Sequence, residues 1–334
     1  MTTDELSGPP PIEMPSVVAM NGAAAPTTLS LSYRGEGSDL FLIVLKNLFL
    51  TLVTLGIYTP WARTTRRAYL WKQVQIGEDR LDYTGTGKEL FYGYLKVAAC
   101  YLLFFALPWG VMRISPALGQ ILRVLGLLVV AVLLPYAVYW SRRYLLGRTR
   151  WRGIRFGLAG EARAFARTWW VGGLLTVITL GIYGPIFANR IYGALLRNTR
   201  YGSAAFTYDG RDGAAFKIAI KGLLLSVVTL GIYYPWYLAA IRRFRFAHTH
   251  FDRATGSLDI TGRLVWKLAV VNLLGMIFTL GIAMPWLMTW SLRTVLARLT
   301  FEGTIDFSQI TQQARSGDAA GDTLASALGV ELGV

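Results

Sequence analysis

The 334-residue chain has one cysteine, Cys100, and two histidines, His248 and His250. A single thiol excludes an internal disulfide framework. Two histidines leave little for a histidine metal centre or a His-centred triad. Charge is scarce as well: 16% of the residues are charged, against about a quarter in soluble domains. That deficit argues against an ordinary water-soluble protein. Acids are the scarcer sign, with 19 Asp and Glu against 34 Lys and Arg, a net charge of +15. A chain this apolar and this basic is either a membrane protein with basic loops or a nucleic-acid binder.

Familiar chemistry is missing too. No Gly-rich run ends in Gly-Lys-Ser/Thr, so there is no nucleotide loop, and Gly35, Gly37, Gly85 and Gly87 read as hairpin turns. No His-Glu-x-x-His, cysteine pair or carboxylate cluster offers a metal site, and no nucleophile elbow appears. His248, His250 and Asp252 have the spacing of one strand face, but beside arginines they read as solvated loop residues. Cys100 lies in an apolar helix as an inert small hydrophobe. The reading assigns no catalytic residue, metal or cofactor and expects a protein that is not an enzyme.

What the chain does have is apolar length. Residues 1–28 carry five prolines, three acids and no Lys or Arg, which is neither a secretory signal nor a segment able to order itself. Residues 311–334, rich in Ala, Gly and Asp, read as a flexible tail. Between them lie six apolar stretches at about 40–62, 92–112, 118–140, 166–188, 214–238 and 264–291. Each has roughly the 20 residues that a helix needs to cross about 30 Å of hydrocarbon. The expected fold is an α-helical polytopic membrane protein with about six apolar helices.

The pattern repeats. Four stretches contain Thr54-Leu-Gly-Ile-Tyr-Thr-Pro60-Trp61, Thr179-Leu-Gly-Ile-Tyr-Gly-Pro185, Thr229-Leu-Gly-Ile-Tyr-Tyr-Pro235-Trp236 and Thr279-Leu-Gly-Ile-Ala-Met-Pro285-Trp286. The last three prolines are 50 residues apart, and another step of 50 back reaches Pro135, a degenerate fifth copy. Pro60 lies 75 residues before Pro135, so segment 92–112 is an inserted helix within a repeat-built domain over 29–310. After each proline come arginines, then a turn glycine (Gly77, Gly153, Gly202, Gly256, Gly303), then an alternating run such as Leu81-Asp-Tyr-Thr or Ile305-Asp-Phe-Ser. Such runs predict short β-hairpins in the basic loops. Pairing between copies would support them, since an isolated hairpin is marginal.

Tandem Thr-Leu-Gly-Ile-Tyr-x-Pro-Trp motifs followed by Arg-rich stretches resemble the YjgN-like family of bacterial inner-membrane proteins, domain of unknown function 898. The resemblance runs from about Leu29 to Ile310. It implies a multi-pass protein of the bacterial inner membrane and carries over no reaction, substrate or catalytic residue. The chain departs from the pattern at Pro135, at Ile186 in place of Trp, and at Ala283-Met284.

The motif itself supports two readings. Gly56, Gly181, Gly231 and Gly281, each four residues before Pro60, Pro185, Pro235 or Pro285, weaken a helix twice. Either the helix ends there, with Tyr58, Trp61, Tyr183, Tyr233, Trp236 and Trp286 forming an interfacial aromatic belt, or an unwound turn lines a ligand site. Lys46 and Lys221, 14 residues before their prolines, have no acid in the apolar cores to pair with. They are candidate anion or lipid contacts, together with Arg66, Arg67, Arg142, Arg143, Arg242 and Arg243. Gly172, Gly173 and Gly222 would allow close helix approach.

Topology poses a problem. Every long loop is basic, so the positive-inside rule puts all of them in the cytoplasm, which six simple spans cannot do. Either the later copies are re-entrant, turning back at Gly-Ile-Tyr-x-Pro, or some basic loops face the periplasm. The leading functional expectation is a non-enzymatic membrane protein that binds anionic phospholipid through its Arg-rich loops in envelope organisation. The alternative is a secondary transporter or channel for a small anion. A homo-oligomer or other envelope proteins are the remaining partners; nucleic acid is not expected.

Overall fold

Each Thr-Leu-Gly-Ile segment reverses the chain instead of carrying a helix onward. In the computed structural model, which describes residues 27–307 and 310–311, β1 (Thr27–Tyr33) leads into α1 (Gly37–Val53). The chain turns at residues 54–58 and returns as α2 (Thr59–Lys72). β2 (Val74–Ile76) and β3 (Asp79–Tyr83) follow as a tight hairpin. The next helical pair is longer. α3 (Gly87–Tyr101), a π-helical turn (Leu102–Ala106) and α4 (Leu107–Ile114) descend, and α5 (Pro116–Arg148) returns. Then come β4 (Thr149–Trp151), β5 (Ile154–Leu158), α6 (Ala162–Ile178), α7 (Gly184–Arg197), β6 (Thr199–Tyr201) and β7 (Ala204–Tyr208). The chain continues through α8 (Asp212–Val228), α9 (Tyr234–Ala247), β8 (Thr249–Phe251), β9 (Arg253–Leu258), α10 (Gly262–Phe278), α11 (Met284–Leu296) and β10 (Leu299–Thr304).

The ten strands close into one antiparallel barrel in the order β1-β10-β9-β8-β7-β6-β5-β4-β3-β2. Closure joins the two ends of the chain: Ser30 faces Thr300, and Tyr33 faces Val74. Because neighbours alternate in direction, every strand end that meets a helix lies on one rim and every tight turn on the other. Closure also removes the free edges that would leave short hairpins marginal. Inside, Trp151, Tyr201 and Phe251 are buried at intervals of 50 residues, with Phe301 packed against them. Their rings interlock, 5.3 Å between Trp151 and Tyr201 and 6.1 Å between Tyr201 and Phe251.

Below the barrel the helices pack in sequence order, and α11 packs against α1 to complete a ring. The expectation of six apolar membrane-crossing helices is corrected here. Four of the six stretches are helical hairpins, and two helical stretches, Gly87–Ile114 and Pro116–Arg148, are long and apolar enough to cross a membrane. The reason lies in the turn. Leu55, Leu180, Leu230 and Leu280 adopt φ of 49°, 48°, 50° and 50°, and the following glycines 85° to 92°. Each glycine N–H donates back to the carbonyl five residues earlier, as Gly56 does to Thr51 at 2.7 Å. That is a Schellman-type helix stop. The motif threonine clamps both helices: Thr54 Oγ1 donates to the Leu50 carbonyl at 2.7 Å and accepts from Tyr58 N–H at 3.0 Å. Thr179, Thr229 and Thr279 do the same. Proline then opens the returning helix, where a missing N–H costs nothing. A hydropathy window of about 20 residues averages across this turn and reads one span.

The motif tryptophans lock neighbouring units. A methyl group added at Gly87 would collide with the ring of Trp61, one at Gly262 with Trp236, and one at Gly37 with Trp286. The last of these closes the ring. Gly172 and Gly222 likewise admit Phe187 and Tyr237 of their own hairpins. The tails assigned to 1–28 and 311–334 lie outside the described residues, apart from Thr27, Thr28 and Thr311.

Candidate functional site

The two ends of the molecule differ in chemistry. At the end away from the barrel, Leu55, Leu180 and Leu230 are each 94% exposed and Leu280 is 92% exposed. Ile57, Ile182, Ile232 and Ile282 beside them are more than 60% exposed. The longer pair reaches further. α3 begins 50 residues after α1, so Phe104 matches Thr54, and ten more residues to Ile114 add about 15 Å. Gly126 of α5 lies against Phe104 and Gly119 against Met112, so the two helices stay in contact along this extension. At its far end Arg113 stacks over the exposed Trp109 at 4.6 Å.

Arginines gather toward the barrel, but the predicted contacts do not converge on one site. Lys46 and Lys221 are exposed on helix stripes shared with Leu42 and Phe49, and with Leu224 and Val228. Arg66, Arg242 and Arg243 are exposed; Arg67, Arg142 and Arg143 are half-buried. The four motif copies, with Gly56, Gly181, Gly231 and Gly281, occupy four separate turns. Tyr58 and Tyr233 stack on their own Trp61 and Trp236 at 6.1 and 6.0 Å, while Tyr183 lies under Arg190 at 5.7 Å. The unwound segment makes a turn that reverses the chain. His248 Nδ1 faces the Phe244 carbonyl at 2.8 Å, whereas His250 is held by Thr255 and Asp209. The two do not share a ligand position.

One candidate does face inward. A chamber of about 280 Å³ opens between the barrel ends of α2, α5 and α11 and the barrel floor. Leu31, Leu70, Trp71, Val74, Ile76, Leu81, Leu145, Leu146, Phe156, Leu292 and Leu296 line it, with Thr149 and Arg142 as the polar members. Thr149 is already satisfied: its hydroxyl donates to the Leu145 carbonyl at 2.9 Å and accepts from Trp71 Nε1 at 2.9 Å. Arg142 is not. Its Nε is buried without a hydrogen-bond partner, and no ion pair reaches it among the described residues. Leu31, Ile76 and Phe156 also border a second apolar space of about 140 Å³ inside the barrel. Sequence reasoning named Arg142 but not the chamber, because its walls come from the first, second and last units of the chain.

The remaining polar groups hold the frame. Glu89 joins α3 to α5 through Arg148 at 2.6 Å and the Tyr144 hydroxyl at 3.2 Å. Asn189 donates to the Gly210 carbonyl at 3.1 Å and to Asp212 at 2.9 Å, and accepts from the Tyr208 hydroxyl at 2.6 Å. Burial pushes the Tyr208 and Tyr201 phenols up to about 12, so both remain neutral donors near neutral pH. Tyr201 donates to the Trp151 carbonyl at 2.9 Å, tying adjacent hairpins of the barrel.

Comparison with known proteins gives a family match over most of the chain. A family model described as bacterial protein of unknown function (DUF898) matches residues 28–215, 204–257 and 237–327. The chain is 28% identical over 181 residues to the inner membrane protein YjgN of Salmonella typhimurium, covering 50% of this chain and 43% of that protein. It is 32% identical over 158 residues to the YjgN protein of Escherichia coli O157:H7, covering 47% and 37%. The matched stretch thus spans about two fifths of those relatives' lengths. No solved structure gives a significant match. The chain belongs to the DUF898 family and is a protein of the bacterial inner membrane.

Proposed function

We propose that the protein is a non-enzymatic membrane organiser that holds anionic phospholipid of one leaflet around a cytoplasmic β-barrel. The exposed turn leucines carry this reading. A leucine at φ near +50° is strained, and inside the molecule these side chains touch almost nothing, so the gain must come from an apolar medium outside. From Lys46 to Leu55, or from Lys221 to Leu230, nine residues span about 14 Å. That is about half of a ~30 Å hydrocarbon core. Four hairpins then enter one leaflet, while the longer pair crosses to the other face. Lys46, Lys221, Arg242 and Arg243 come to the depth of the lipid phosphates, where each nearby charge contributes about 1 kcal/mol. The aromatic filling of the barrel favours holding lipid over passing solute along the axis.

The test is lipid retention in nanodiscs of mixed phosphatidylglycerol and phosphatidylcholine. The lipid that stays with the purified protein should be enriched in phosphatidylglycerol. Changing Lys46, Lys221, Arg242 and Arg243 together to Gln should reduce that enrichment at least tenfold. Equal retention of both lipids by the unaltered protein would count against the reading.

A further inference from the structure

The chamber beside Arg142 has no part in the surface reading, yet its chemistry is specific. Its walls are apolar, and Thr149, the other polar side chain, spends its hydroxyl on Leu145 and Trp71. Arg142 alone has capacity to spare, with a buried Nε that no described residue satisfies. A buried guanidinium N–H is costly to leave unpaired. A leucine at this position would fill the space without that cost; the equivalent residue 150 positions on, Leu292, is one such leucine and lines the same chamber. The guanidinium fork matches a carboxylate or phosphate. At about 280 Å³ the space falls near the lower end of small-molecule pockets, roughly 300–1,000 Å³. It has room for one slender chain and not for a two-chain phospholipid.

We propose that this chamber binds a single-chain anionic amphiphile, its carboxylate or phosphate head on Arg142 and its chain among Leu70, Leu145, Leu292 and Leu296. The apolar space inside the barrel, which shares Leu31, Ile76 and Phe156 as its border, receives the end of a longer chain. This site is separate from the outer basic face: it needs no bilayer, and either one can fail without the other.

The experiment uses the full chain in a neutral steroid-based detergent, titrated with sodium dodecanoate, dodecyl phosphate and dodecyltrimethylammonium and read by native mass spectrometry. Saturable one-to-one binding of dodecanoate, dodecyl phosphate or both is expected, and the pattern identifies a fatty-acid or a phosphate-ester head. The cationic analogue should not bind. Arg142→Met should weaken the anions at least tenfold, and Arg142→Lys should restore part of that loss. Leu292→Phe, which narrows the chamber and leaves Arg142 in place, should weaken them as well. If neither anion binds, or if the cation binds equally well, the proposal is overturned. Undiminished binding by Arg142→Met overturns it too. Should Arg142→Met not fold, undiminished binding by Leu292→Phe overturns it in the same way.

Discussion

At each hairpin turn the chain puts a leucine where glycine is the ordinary choice. The C′ position of a Schellman stop asks for φ near +50°, which costs an L-residue roughly 1–2 kcal/mol. Four leucines accept that conformation while more than nine-tenths exposed. In water this would be a loss twice over; in hydrocarbon, covering a leucine side chain contributes roughly 1.5–3 kcal/mol and offsets the strain. A prediction follows for Leu230. In a Cys100→Ala background, Leu230→Cys carrying an environment-sensitive fluorophore should emit as in hydrocarbon and be quenched by lipids spin-labelled in mid-chain. Quenching by aqueous iodide instead would place the tip in water. The residues of this turn were legible in the sequence; its conformation was not. Gly-Ile-Tyr-x-Pro announces a break, but whether the chain ends, unwinds or reverses depends on the Thr54 hydroxyl reaching both helices, which hydropathy does not record.

Among the elements, the informative contact is glycine against tryptophan. Gly37, Gly87 and Gly262 each open a helix and let the motif tryptophan of the preceding unit pack against the backbone. Of the six residues expected to form an aromatic belt, the three tryptophans Trp61, Trp236 and Trp286 wedge between helices, and among these three only Trp286 is more than about two-fifths exposed. Gly262→Ala should cost about 1–3 kcal/mol by overpacking, seen as a lower thermal midpoint in detergent. Gly213→Ala is the control. That glycine stands in α8 with open space at its Cβ, and the change should be neutral or stabilising by up to about 1 kcal/mol. Equal effects at the two positions would refute the wedge. Sequence alone shows that Trp and Gly recur at fixed intervals. It does not show that the tryptophan of one unit meets the glycine of the next, because nothing in a linear pattern states which neighbour an element packs on.

For the whole molecule, barrel closure together with the proposed membrane placement accounts for the charge pattern in the sequence. Basic segments that follow every apolar stretch cannot alternate sides if their hairpins share one barrel, and all ten strands do. Three of the expected turn glycines, Gly77, Gly153 and Gly202, do stand at hairpin turns, whereas Gly256 and Gly303 lie within β9 and β10, and the run from Ile305 follows the last strand. Closure of the barrel was not readable in the sequence, since it depends on β1 and β10, more than 260 residues apart, meeting edge to edge. Likewise the 50-residue beat of Trp151, Tyr201, Phe251 and Phe301 acquires its meaning only once those positions face one interior. The central claim is therefore topological: every tight turn of the barrel lies on one side of the membrane, and only the turn between α4 and α5 reaches the other. The most direct measurement places single cysteines at Glu78, Arg200 and Arg253, at or beside barrel turns, and at Ala117 beyond α4, in a Cys100→Ala background. An impermeant maleimide is then applied to cells with a permeabilised outer membrane. The three barrel sites should resist labelling until the inner membrane is broken, and Ala117 should label at once. If Arg200 and Arg253 label from opposite sides, the single barrel, and the account built on it, is wrong.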